Sequence, residues 1–288
     1  MTCGASSTLE RQLAQWMTGI DDEVRFWEQW IDSRGGEWPD DFRQRLDPEA
    51  EVEDYLPVSV GGEVLPRLRI LDVGSGPLTK LGKHYRGQAL DLSACDPLAD
   101  VYSALLKRAG IAPLVPVRMA FAEDLSAFFA PDSFDLVHCI NALDHSFDPL
   151  RAIHEMLRVA RVGGTVVLMH QPNEAEAENY VGLHQWNFDV QDGRFVVWNR
   201  ERRIDVADAV RAVARVEADG SGYIRAVLRK HAPLDELAGE GRAERLAQVM
   251  RALMQIVYGQ SPRARALGLG LAGPAPINLA DEVAAATA

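Results

Sequence analysis

Leu68-Arg69-Ile70-Leu71-Asp72-Val73-Gly74-Ser75-Gly76-Pro77 decides the reading of this chain. An apolar run enters a Gly-Ser-Gly turn, the pattern of a buried strand that hands over to a loop at its carboxyl end. Glycine at 74 and 76 lets the backbone approach a ligand closely, because a Cβ there would collide with it. Downstream the alternation continues. Residues 89–97 (ALDLSACDP), 115–121 (VPVRMAF), 133–141 (SFDLVHCIN) and 163–171 (GGTVVLMHQ) read as strands. Residues 98–109 and 150–161 read as helices between them. Such β-α-β units make a parallel sheet. Two further alternating segments turn at Asp192-Gly193 and Asp219-Gly220 as hairpins, the second closing the sheet with an antiparallel strand pair. The expected fold class is α/β: a Rossmann-like, seven-stranded, mostly parallel sheet with an antiparallel last strand, helices on both faces and an N-terminal helical extension.

Outward from this core, Leu9 to Ser33 repeats apolar residues at helical spacing and predicts two helices broken near Gly19 to Asp22. Its aromatics Trp16, Phe26, Trp27 and Trp30 are read as packing on the domain in preference to lining a pocket. A last helix is expected from about Leu234 to Val257, with a mobile Ala-Gly-Pro tail after it. The domain limits that follow are 1–60 for the helical extension, 61–260 for the α/β domain and 261–288 for the tail.

Thirty Lys and Arg against 42 Asp and Glu give a net charge of −12, a field that repels polyanions and argues against nucleic acid as partner. Three cysteines, Cys3, Cys95 and Cys139, form neither a disulfide framework nor a zinc-type spacing. No apolar run is long enough to span a bilayer, and the amino terminus lacks a signal core, so a soluble, cytoplasmic protein without a membrane partner is expected. A homodimer is compatible with the sequence.

Three acids mark successive strand ends. Asp72 precedes the glycine turn and suits a cationic ligand such as the ammonium and sulfonium of S-adenosylmethionine. Asp96, 24 residues later, is placed to accept two ribose hydroxyls, with Pro97 and Leu98 beside the adenine face. Ala122-Glu123-Asp124 follows the third strand, where a carboxylate can accept the exocyclic amine of adenine. A dinucleotide fingerprint would need a third glycine at position 79, which is Thr. This opposes the alternative of an NAD-type nucleotide-dependent oxidoreductase. A non-catalytic cofactor-binding scaffold is the other alternative.

With these motifs in view, the chain resembles the class I S-adenosylmethionine-dependent methyltransferases from about Arg67 to Leu168. LDVGSGP (71–77) looks like the family's first motif, CDP (95–97) its second-strand acid and AEDL (122–125) its adenine loop. FDLVHCINALDHSFDP (134–149) and RVGGTVVL (161–168) look like its fourth- and fifth-strand motifs. The flanks at 26–48 and 178–189 resemble a bacterial small-molecule or glycan branch. The resemblance implies S-adenosylmethionine as cofactor, held by Asp72, Gly74, Ser75, Gly76, Pro77, Asp96, Pro97, Leu98, Ala122, Glu123 or Asp124, and Asn141.

Methyl transfer from a sulfonium is an in-line displacement, and a base is needed where the acceptor enters protonated. His170, at the end of the fifth strand, is the first candidate base, followed by His145 after the fourth strand and by His184. Asp144, Gln185, Trp186 and Asn187 are candidate acceptor-binding residues. The three histidines with Asp144 and Glu174 could also hold a divalent metal. None of these residues shows the tight spacing of a ligand motif, so no metal is expected. The sequence thus predicts transfer to a hydroxyl, less readily an amine, of a small molecule or sugar.

Overall fold

The computed structural model describes residues 3–57, 59–60, 63–64, 68–234, 241–255, 259, 263, 266 and 267. The expected tail falls, three residues apart, outside them.

The motif strand is β1 (Arg69–Val73), followed by β2 (Asp91–Asp96), β3 (Val117–Met119), β4 (Phe134–Ile140) and β5 (Ala160–His170). A three-stranded antiparallel sheet comes next, from β6 (Asn187–Gln191), β7 (Arg194–Trp198) and β8 (Arg203–Asp205). Its tight turn places Asp192 and Gly193 at φ of 52° and 74°, the left-handed geometry that this dipeptide favours. The chain then returns as β9 (Ala214–Asp219) and β10 (Ile224–Lys230). The main sheet has seven strands in the order β9-β10-β5-β4-β1-β2-β3, parallel but for β10, which runs antiparallel to both neighbours. This is the architecture the β-α-β pattern predicted, with the antiparallel strand one place in from the edge.

Helix α1 (Cys3–Asp32) is one continuous helix, where the sequence predicts two. Gly19 does not break it. A Cβ at that position would stand 2.6 Å from the Leu183 backbone nitrogen, so the glycine lets a distant loop press against the helix. Trp16, Ile20, Val24, Trp30 and Ile31 of α1 share a buried cluster with Val101, Tyr102 and Leu105 of α3 (Ala99–Arg108). Between these helices lies α2 (Pro39–Arg45), whose Phe42 joins the same cluster.

Helix α4 (Pro149–Val159) starts where Asp148 accepts the N–H of Arg151 and Pro149 occupies the first turn, and buries Ile153, Met156 and Leu157 under the sheet. The remaining helices are α5 (Glu174–Ala177), α6 (Val206–Val210) and α7 (Arg242–Leu253). Strand β5 begins before the glycine pair expected to open it, and Gly163, at φ 81°, sits within it near a register shift against β4. Cys95 and Cys139 are buried in β2 and β4, as the apolar runs predict. Among the described residues no helix is long and apolar enough to cross a membrane. The carboxyl ends of β1, β2 and β4 meet where the strand order reverses, the place at which open α/β sheets present a crevice.

Candidate functional site

A cavity of about 710 Å3 opens at this edge. Its wall includes Asp72, Gly74, Ser75, Gly76, Asp96, Pro97, Leu98, Ala122, Glu123 and Asn141. The turn after β1 has no room for side chains. Gly74 and Gly76 sit at φ 68° and 63°, and a Cβ would lie 2.4 Å from the Ala142 Cβ at the first and 2.6 Å from the Trp27 ring at the second. Gly74 and Ser75 donate their N–H groups to the Cys95 carbonyl, fixing the turn to the end of β2.

Asp96 is aimed by two N–H donors, Gly76 to Oδ2 at 3.2 Å and Leu98 to Oδ1 at 2.9 Å. Burial pushes its pKa up to about 7. A buried carboxylate fixed in this way, beside a turn with no Cβ, fits the ribose of a nucleoside ligand. Affinity for S-adenosylhomocysteine is therefore expected to rise with pH from about 6 to 8, as Asp96 ionises and becomes the better acceptor, and calorimetry across that range reads it. Asp96→Asn should flatten the profile.

Asp72 is more engaged than the sequence suggests. Its Oδ1 pairs with His138 Nδ1 at 2.8 Å and its Oδ2 accepts from Thr79 Oγ1 at 2.6 Å, while Tyr55 Oη lies 3.0 Å from His138 Nε2. Both oxygens are thus bonded within the protein, so Asp72 offers the cavity its charge and anchors the turn. Thr79, at the position of a dinucleotide glycine, is part of that anchor. His138, Thr79 and Tyr55 were not assigned to the site from sequence; a strand residue and two loop residues that meet only in the fold leave no local signal.

The adenine-loop alternatives separate. Glu123 faces the cavity, with Oε1 accepting the Phe147 and Asp148 N–H groups and burial pushing its pKa up to about 8. Asp124 is absent from the wall and turns to the guanidinium groups of Arg151 and Arg245. Pro77 is also absent from the wall. Asn141, at φ 44°, bridges elements by donating to Tyr223 Oη at 2.6 Å and accepting the Gln171 N–H at 3.0 Å.

Three further residues converge at the cavity. Asp144 Oδ2 lies 2.8 Å from His184 Nδ1 and 3.2 Å from His145 Nε2, and these two nitrogens are 3.3 Å apart. Both histidines line the cavity; Asp144 is buried behind them. Burial opposes the charge on Asp144, yet the two imidazoles hold its pKa low. Burial would lower His184, but the Asp144 hydrogen bond raises it overall.

His170 is elsewhere. Its ring is fully buried, stacked on Phe188 at 4.0 Å between centroids, with neither nitrogen bonded, and burial lowers its pKa to about 4. It does not reach the cavity wall, so the first-choice base is corrected: β5 pairs with β10 through Ile224 opposite His170, which seals the strand end. His170→Phe is expected to keep turnover within about twofold and to hold or raise the melting temperature, since two unpartnered nitrogens leave the core.

Gln185, Trp186 and Asn187 are likewise structural. Gln185 donates to the Tyr180 and Gly182 carbonyls, and Asn187 joins Tyr180 Oη to the Glu176 N–H. Trp186 is buried in the core beneath the Arg202 guanidinium. The amino-terminal aromatics pack on the domain as expected, Trp16 and Trp30 within its buried cluster, and they reach the cavity as well. Trp16, Phe26, Trp27 and Trp30 line the cavity with Glu23, and Phe26, Trp38 and Tyr223 remain exposed at it.

A family profile described as a methyltransferase domain matches residues 71–168. A ubiquinone biosynthesis O-methyltransferase of Xanthomonas campestris pv. campestris is 34% identical over 120 residues, covering 40% of this chain and 46% of that protein. One from Alkalilimnicola ehrlichii is 28% identical over 165 residues, covering 51% and 64%. The chain thus matches about half the length of these curated relatives. A solved chain from the Haloferax volcanii complex of the Trm112 methyltransferase activator with its methyltransferase aligns at TM-score 0.46 and 15% identity, over 75% of this chain and all of that one.

The profile spans β1 to β5 and so contains the glycine turn, Asp96, Glu123 and Asp144 together. S-adenosylmethionine is the cofactor that this domain binds. Residues 71–168 thus match a methyltransferase domain and fold as the doubly wound sheet that its motifs predicted.

Proposed function

We propose that this methyltransferase acts on a hydroxyl oxygen of a small molecule. The observation that carries the reading is the Asp144–His145–His184 cluster, which fronts the same cavity as Asp96 and the glycine turn. Bound S-adenosylmethionine supplies a methyl group on a positively charged sulfur. A neutral amine needs no help to attack such a group, whereas a hydroxyl must lose its proton, and a polar cluster anchored on a buried carboxylate is the apparatus for that. The cluster orients the acceptor oxygen and draws off its proton; the tryptophans of α1 exclude water and offer flat faces to a ring-bearing acceptor. The names of both curated relatives, O-methyltransferases, agree with an oxygen acceptor.

Incubation with methyl-labelled cofactor and a panel of phenols, sugars and amines tests this, with the product resolved by mass spectrometry and NMR. Label in an O–CH3 group is expected. Label confined to nitrogen would overturn the reading.

A further inference from the structure

The same three side chains form a triangle whose geometry exceeds the needs of a hydrogen-bonded base. Its edges are 2.8, 3.2 and 3.3 Å between Asp144 Oδ2, His184 Nδ1 and His145 Nε2. Ligands about 2.0–2.2 Å from a metal, at tetrahedral or octahedral angles, stand roughly 2.9–3.5 Å from one another. The hydrogen-bond accounting also leaves a deficit. If both rings donate to Oδ2, no hydrogen is left to bridge the two nitrogens. Oδ1 of the same carboxylate, 1% exposed as a residue, is buried with no partner at all. An unpaired oxygen on a buried anion is costly, and a cation held by the same carboxylate through Oδ2 offsets the buried charge.

We infer that Asp144, His145 and His184 form a divalent transition-metal site in the wall of the acceptor cavity. This rests on the hydroxyl reading and states how the cluster addresses the oxygen. Two imidazoles and one carboxylate suit zinc, manganese, cobalt or iron(II) better than magnesium or calcium, which favour all-oxygen shells. The surroundings fit. His145 turns its other nitrogen, Nδ1, toward Glu23 Oε2 at 3.8 Å, the outer carboxylate that commonly orients a ligating histidine. Trp27 Nε1 holds Glu23 in turn at 2.7 Å. The Gln185 N–H bonds the Asp144 carbonyl at 3.2 Å, tying the loop of His184 to the turn of Asp144 before any ion enters. Glu174 lines the cavity within electrostatic reach of all three residues. His145 and His184 line the cavity, so an ion held there would meet the acceptor, and a hydroxyl bound to it would release its proton to water more readily than a free one.

The test titrates zinc and manganese into the chelator-stripped full chain by calorimetry, without acceptor. One site per chain is expected, with affinity at least tenfold weaker in both Asp144→Asn and His184→Ala and unchanged in His231→Ala, an exposed histidine elsewhere. Binding of S-adenosylhomocysteine by each variant in the same instrument shows that it is folded. Cobalt substitution adds a visible ligand-field band that the two cluster variants should lose. Absence of binding by the unaltered chain, or binding by Asp144→Asn and His184→Ala as tight as that of the unaltered chain, overturns the site. No acceptor enters this experiment, so its failure leaves the hydroxyl reading to its own product analysis.

Discussion

Asp144→Asn is expected to lower kcat by roughly a hundredfold or more while leaving the affinity for S-adenosylhomocysteine within about twofold, read by steady-state kinetics beside calorimetry. The carboxylate is the hub of the acceptor cluster, holding His184 at 2.8 Å and His145 at 3.2 Å. An amide in its place keeps the size and loses the charge that pairs with both imidazoles, keeping at most one oxygen to accept from His184. The cofactor side does not depend on it: the glycine turn is tied to the Cys95 carbonyl and Asp96 to the Gly76 and Leu98 N–H groups. Loss of turnover with binding retained therefore separates a role toward the acceptor from a folding defect. Unchanged turnover would remove the cluster from the reaction.

Asp96→Ala should do the reverse. Affinity for the cofactor product is expected to fall by about 1–3 kcal/mol, some 5- to 150-fold, because ribose hydroxyls would be buried without an acceptor. Part of the loss comes from the protein itself, since the Gly76 and Leu98 N–H groups lose their partner and the turn loosens. Asp96→Asn isolates the charge, as it retains an acceptor oxygen for one of these donors. An affinity equal to that of the unaltered chain would exclude Asp96 from the nucleoside site.

Much of the cavity wall at the ends of β1 to β3 was readable along the chain because it is local. A strand that ends in glycines, an acid at the end of the next strand and another after the third all project from one edge once the strands lie parallel. Sequence order then becomes spatial order, and Gly74, Gly76, Asp96 and Glu123 reach the cavity as their positions predicted. Where two neighbours competed, as Glu123 with Asp124, sequence could not choose. Arg245, over a hundred residues away, claims Asp124. His170 misled for a related reason. A strand end is open or sealed according to what pairs beside it, and β10 is 54 residues further on.

The sequence by itself determined the α/β class, the strand alternation, the glycine turn and the acids at the strand ends, since each depends on periodicity, on one residue's conformational freedom or on its place in the strand order. Tertiary structure decided the rest. It kept α1 whole across Gly19, brought that helix's tryptophans to the cavity and set His184 against Asp144 across 40 positions of chain. Those contacts arise when surfaces distant in sequence are buried against each other, and no local pattern records which side chains will face one another when that happens.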